Sequence, residues 1–265
     1  MTLITISRDS YSHGKEIAQK VARRLGCDCI GRQVILDAAD AFSVSPGTMR
    51  RALHDAPSAL ESLFNRKERH LAEFGAAFYR TMSRGNVVYH GLAGHMFLKD
   101  VPQVLKVRIV ANFEDRVREE MEREGVTESV ASQRLHDDDR ERCHWTRRIY
   151  GVDNHDPALY DLCLNLQSMS VDEAVEAILD AAERASFRVD EKALKHIVAL
   201  ADAAEIKAHL LRTFSNVHTL VLNGEVQAVI NAPLAHEDRV LARARKIMTQ
   251  AGLPQAKASV QPNIL

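Results

Sequence analysis

The stretch Leu3-Ile4-Thr5-Ile6-Ser7-Arg8-Asp9-Ser10-Tyr11-Ser12-His13-Gly14-Lys15-Glu16-Ile17-Ala18 decides the fold. Leu3 to Ile6 is a short β-branched run that ends abruptly in a polar stretch. From Lys15 the period changes: Ile17, Val21, Ala22 and Leu25 fall on one helical face, and Gly26 stops the helix. A loop between a first strand and a first helix is where an α/β sheet binds phosphate, because the helix N-terminus presents unpaired N–H groups and partial positive charge. Here the loop ends in Gly14-Lys15. Glycine lets the backbone approach phosphate, and lysine supplies a point charge. The full phosphate-loop pattern is G-x-x-x-x-G-K-[ST]; Asp9 stands at its first glycine and Glu16 at its hydroxyl. On spacing alone, a phosphate loop and a plain strand–turn–helix both stay open.

Outward from this unit the chain keeps alternating. Helical patterns are expected at Gln33–Ala41, Pro46–His54 and Ser58–Met82, then a strand over Asn86–Gly91 and a second, buried on both faces, over Val104–Val110. Charged helices follow at Phe113–Glu124 and Glu128–Tyr150, a strand at Tyr160–Leu166 and a helix at Val171–Arg184. Strands alternating with helices predict a parallel sheet with crossover connections. The last part reads differently. A helix at Ala203–Thr213 precedes strands at Val217–Leu222 and Glu225–Ile230, joined by Asn223-Gly224, a hairpin signal because both positions favour positive φ. A helix at Ala235–Gln250 and a strand near Ala256–Val260 complete a small α+β module. The expected division is 1–185 and 186–265.

Composition fits this reading. Hydrophobic residues make up 46% and charged residues 27%, so packed cores are expected rather than disorder. The net charge of -1 gives no electrostatic case for binding a nucleic-acid polymer. The first residues carry no basic leader, and no apolar run approaches the ~18 residues that a membrane span needs. Cys27, Cys29, Cys143 and Cys163 read as free thiols of a reducing cytoplasm, which is the expected location. A metal site from Cys27, Cys29, Cys143 and His144 lacks the usual two-residue spacing, so no metal-ligating residue is assigned.

The opening resembles the cytidylate-kinase-like family, which commonly shows I-S-R-E, a glycine- and serine-rich turn and a G-[GRK]-E-I-A-like helix start. The missing hydroxyl at Glu16 is then a family trait, whereas Tyr11 and His13 stand where smaller residues are usual. Leu25-Gly26 and Gly31-Arg32-Gln33-Val34-Ile35 are similar to the family's L-G and D-R-E-L-I, with Gly31 in place of aspartate. Asn86 to Gly94 resembles G-N-x-V-I-V-G-R-G-A, with His90 and Leu92 flanking Gly91. Asp115-Arg116-Val117 resembles E-D-R-I. Asp156-Pro157-Ala158-Leu159-Tyr160-Asp161-Leu162-Cys163-Leu164-Asn165 is close to D-P-x-x-Y-D-L-x-L-N.

The resemblance implies a P-loop kinase-like sheet and an ATP-dependent, magnesium-assisted nucleoside monophosphate kinase with CMP or dCMP as acceptor. ATP would lie on Ser7, Arg8, Asp9, Ser10, Tyr11, Ser12, His13, Gly14, Lys15 and Glu16. Lys15 would neutralise the transferring phosphate, because phosphoryl transfer depends on positioning and charge stabilisation. Arg134, Arg140, Arg142, Arg147 and Arg148 share a charged segment with Asp137 to Asp139; Arg140 and then Arg147 are the candidate lid arginines, or members of a solvated ion-pair helix. Arg32, Gly91 and Asp161 are acceptor-side candidates. Trp145 and Tyr150 either stack on a base or pack their helix. Two further readings stay open: a nucleotide-binding regulatory protein of weakened catalysis, and an interaction protein. The latter would act through a C-terminal module that resembles a BON domain over Ile206–Leu210 and Val221–Val226, with protein or lipid as its partner.

Overall fold

The computed structural model describes residues 1–9, 12–31, 33–45, 47, 61–91 and 93–262. Ser10, Tyr11, Arg32 and Leu92, and nearly all of the helix expected at Pro46–His54, lie outside the described residues.

A five-stranded parallel sheet carries the first compact unit. Its strands are β1 (Leu3–Arg8), β2 (Asp28–Ile30), β3 (Val87–His90), β4 (Leu105–Val110) and β5 (Leu162–Asn165), in the order β2-β3-β1-β4-β5. β1 is central, with Ile4 level with both Val88 and Leu105. A strand paired on both sides and covered on both faces must be apolar, and Leu3, Ile4 and Ile6 are buried completely or nearly so. Helix α1 (Gly14–Leu25) returns along the sheet, burying Ile17, Ala18, Val21 and Ala22 against a core that includes Val88, Val107, Ile109 and Ile178. Fully buried, Ile17 and Val21 each contribute about 1.5–3 kcal/mol, and the alanines less.

The helices α2 (Gln33–Ala41) and α3 (Glu61–Met82) follow β2 in the chain, and the short α4 (Gly94–Phe97) follows β3. Two charged helices, α5 (Phe113–Glu124) and α6 (Glu128–Tyr150), form at the expected bounds. They meet through Val117, Ala131 and Leu135 and through the Arg116–Asp139 ion pair at 2.8 Å. Helix α7 (Val171–Ala182) starts at a capping box in which Ser170 and Glu173 satisfy each other's backbone N–H groups.

The second compact unit does not follow chain order. It groups α2 and α3 with α8 (Glu191–Leu210), β6 (Val217–Leu222), β7 (Glu225–Asn231), α9 (Glu237–Gln250) and β8 (Lys257–Gln261). Small residues let α3 and α8 approach: Ala72, Ala76 and Ala208 are buried together with Phe42. Arg80 pairs with Asp202 at 2.7 Å and Glu205 at 2.9 Å, and Lys207 with Glu68 at 2.7 Å. β6 and β7 form the expected hairpin, with φ of 52° at Asn223 and 82° at Gly224. β8 joins β7 in parallel, giving a small mixed sheet over Ile206, Leu210, Ile230 and Met248.

Candidate active site

The loop after β1 is fastened to the sheet by side chains from three neighbouring segments. Ser7 Oγ and His95 Nδ1 share a hydrogen bond at 2.7 Å. The other ring nitrogen of His95 lies 3.3 Å from the Tyr160 hydroxyl, which donates to the Asn154 carbonyl at 2.8 Å. Arg108, on β4, donates through Nη2 to Asp9 Oδ1 at 2.6 Å and through Nη1 to the same Asn154 carbonyl at 2.8 Å. Its guanidinium carbon lies 5.7 Å from the centre of the Tyr160 ring. Ser12 Oγ donates back to the Asp9 carbonyl at 3.0 Å, and Arg142 of α6 donates to the Arg8 carbonyl at 2.9 Å.

The charges in this network are matched. Arg108 is 4% exposed, and a buried guanidinium is tolerated only when its charge and N–H groups are answered. Asp9 answers it. The acidic residue at the first-glycine position of the phosphate-loop pattern therefore spends its charge on Arg108. His13 adopts the left-handed conformation (φ 52°) at the head of α1. Its ring lies 2.6 Å from Glu119 Oε1 and 3.3 Å from Glu16 Oε2. Lys20, 3.0 Å from Glu16, is the main cause holding that carboxyl below its ordinary range.

Lys15 is exposed and, among the described residues, makes neither an ion pair nor a hydrogen bond. Gly14 sits so close to Arg8 that a Cβ there would fall 2.4 Å from Arg8 Cδ. A Cβ on Gly31 would meet the His90 ring at 2.6 Å, so two of the places where the chain departs from the resembled motifs meet in space. His90 and His95 are both pushed down to about 4, mainly by burial. The charges of Arg8 and Lys15 add to this at His90, those of Arg108 and Lys106 at His95. Both imidazoles are therefore neutral near pH 7.

A cleft of about 540 Å³ runs beside α6, lined by Arg140, Cys143, His144, Arg147 and Arg148. Positions 140, 143, 144, 147 and 148 share one helical face, so the basic lining follows from the sequence spacing. Arg140 is ion-paired with Asp137, and Arg147 with Asp153 at 2.5 Å. The arginine that α6 brings to the loop after β1 is Arg142. Trp145 is buried and packs edge-on against Tyr150 at 5.7 Å, so this pair serves the helix.

Gly91 follows β3 at the sheet's carboxyl edge and is exposed. Asp161 lies toward the other edge: its carboxylate accepts from the Lys106 amide at 2.8 Å, and its amide donates to the Lys106 carbonyl at 2.8 Å. Lys106 is level with Thr5, three residues or about 10 Å before Arg8. Sequence reasoning passed over Arg108, His95, Asn154 and Glu119. The available signal was the run Leu105-Lys106-Val107-Arg108-Ile109-Val110, where two cations interrupt a doubly buried strand and so require buried partners.

The profile of the cytidylate kinase-like family matches residues 3–168, a span that contains every member of the network from Ser7 to Tyr160. The chain belongs to the cytidylate kinase-like family. A cytidylate kinase from Archaeoglobus fulgidus is 29% identical over 192 residues, covering 71% of this chain and 99% of that one. The crystal structure of an uncharacterized protein from Eubacterium ventriosum superposes with a TM-score of 0.53 at 19% identity, covering 69% of this chain and all of that one. Family membership gives the loop after β1 its context: the loop leads from the central strand of a five-stranded parallel sheet into a helix N-terminus, where unpaired N–H groups favour an anion.

Proposed function

We propose that this chain is an ATP-dependent nucleoside monophosphate kinase with CMP or dCMP as its acceptor. One observation carries the reading: at the head of α1 every other charged side chain has a partner, while Lys15 is exposed and free among the described residues. A cation left unpaired beside the N–H groups of a helix N-terminus is what a polyphosphate needs. The ATP site comprises Ser7 to Glu16. Asp9 and Ser12 shape its backbone, and Gly14 and Lys15 face the phosphates. Glu16 stands at the hydroxyl position of the pattern, and its exposed carboxylate is of the kind magnesium takes together with phosphate oxygens. In transfer, an oxygen of the acceptor phosphate bonds to the γ-phosphorus and the bond to the ADP oxygen breaks. Arg140 and Arg147 stabilise the charge that spreads over the equatorial oxygens once their acidic partners release them. Arg32 and Gly91 belong to the acceptor side, and Asp161 holds the entry to β5.

A second reading, nucleotide binding without efficient transfer, is favoured by His13. Its ties to Glu16 and Glu119 bring two carboxylates to the loop where incoming phosphate is itself anionic. In either case α8, β6, β7, α9 and β8 run in the αββαβ order of a BON-like module, which supports a role in binding protein or lipid. A cytoplasmic setting fits the free thiols and the use of ATP.

Calorimetry of ATP binding tests the site. Lys15→Ala should weaken ATP about 10- to 100-fold, the worth of a charge-assisted phosphate contact of roughly 1.5–3 kcal/mol. Equal affinity in the two proteins contradicts the assignment.

A further inference from the structure

Three metal-binding side chains outside the phosphate loop converge where α6 ends and the chain turns back. Cys143 lies on α6; Asp153 and His155 lie on the segment that returns past it. Asp153 Oδ1 is 3.6 Å from Cys143 Sγ and 3.0 Å from His155 Nδ1, and the three donor atoms all lie within 4.8 Å of one another. We propose that Cys143, Asp153 and His155 form a divalent-metal site, for which zinc is the fitting ion.

The distances support this. Zinc bonds of about 2.3 Å to sulfur and about 2.0 Å to nitrogen and oxygen, at tetrahedral angles, require edges of about 3.5 Å between S and O and about 3.3 Å between N and O. The observed 3.6 and 3.0 Å are close to these two edges, and the third, between sulfur and nitrogen, is within 4.8 Å. The hydrogen-bonding pattern points the same way. Asp153 Oδ1 also accepts from the His155 amide at 2.9 Å, so the thiol, that amide and the imidazole nitrogen all crowd one oxygen with two lone pairs. A metal ion relieves this crowding by taking the oxygen, the thiolate and the imidazole lone pair at once. Binding releases the thiol proton, and thiolate plus carboxylate then neutralise the 2+ charge, so the surrounding arginines do not oppose the ion. Asp153 Oδ2 is held by Arg147 at 2.5 Å, which fixes the carboxylate with Oδ1 turned to the other two donors.

With three protein ligands and an N/S/O donor set, one position stays open to water or an anion, and zinc suits the set better than magnesium or calcium. The ion would pin the returning segment to α6. Asn154 lies between two of the ligands, and its carbonyl is the acceptor for both Arg108 and Tyr160, so the pin would also brace the loop after β1. The proposal shares Arg147 with the kinase reading, in which Asp153 Oδ2 would release it; the metal is taken through Oδ1, so the site is tested by metal binding without any turnover.

Cobalt(II) added to the untagged, metal-free full chain tests it, because thiolate ligation gives a near-ultraviolet charge-transfer band. One equivalent of cobalt should produce that band, and zinc should displace the cobalt. Cys143→Ser should abolish the band, and His155→Ala should weaken binding at least tenfold, with the far-ultraviolet dichroism of both variants unchanged. A variant with Cys27, Cys29 and Cys163 all changed to serine should keep the band, a result that serves equally if Cys143→Ser does not fold. Absence of the band in the unmodified chain overturns the site. So does a band that survives Cys143→Ser or disappears in the triple variant.

Discussion

Arg108 occupies a position at which a parallel strand ordinarily carries an aliphatic residue, and the consequences reach the phosphate loop. Its charge is nearly excluded from water and is balanced by Asp9. Breaking a buried ion pair by removing one partner costs about 3–5 kcal/mol, because the remaining charge is left uncompensated. Asp9→Asn and Arg108→Met should therefore each destabilise the chain by that order. The double variant should recover part of the loss, since it leaves no lone buried charge. Urea unfolding of the four proteins measures this; strictly additive losses would mean that the two side chains do not act as a pair. The sequence announced the Gly14-Lys15 helix start, because strand, loop and helix are local patterns. It did not announce the partners of the loop. Asp9 meets Arg108 across 99 residues, and His13 meets Glu119 across 106, separations that no periodicity encodes.

Among the elements, α5 and α6 form at the bounds their patterns predict, and the hairpin expected at Asn223-Gly224 forms. Two kinds of element escaped. β2 has only three residues and a mixed polar sequence, so it exists by pairing with β3 rather than by its own pattern. α8 begins at Glu191, twelve residues before the expected Ala203, because its buried face there is built largely from alanines that carry little hydrophobic contrast. Those small residues matter where α8 meets α3. Ala208 is fully buried beside Ala72 and Ala76, so Ala208→Leu has no space to enter. It should cost about 1–3 kcal/mol through overpacking. An unchanged urea midpoint would show that the helices separate without cost. The same packing groups α3, early in the chain, into one compact unit with α8, which begins at Glu191.

At the scale of the molecule, the neutral histidines make stability depend on pH. His90 and His95 titrate near 4 when folded and near 6.5 when unfolded. Between these values the unfolded chain binds protons that the folded chain refuses, so their contribution is complete above about pH 6.5 and is lost as pH falls toward 4. The largely buried His95 contributes on the order of 3 kcal/mol over that interval, and the more accessible His90 less. Urea midpoints should fall steadily from pH 7 to pH 5, and His95→Gln should flatten the fall. A midpoint independent of pH across that range contradicts the burial of neutral imidazole.

The loop after β1, where Lys15 has no ion-pair or hydrogen-bond partner among the described residues, is proposed to serve phosphoryl transfer between nucleotides. The direct measurement is diphosphate formation from ATP, magnesium and each nucleoside monophosphate in turn, followed by chromatography. Equal amounts of ADP and nucleoside diphosphate are expected, formed fastest with CMP or dCMP and strongly reduced in Lys15→Ala. ATP binding with no diphosphate formed from any acceptor would contradict it.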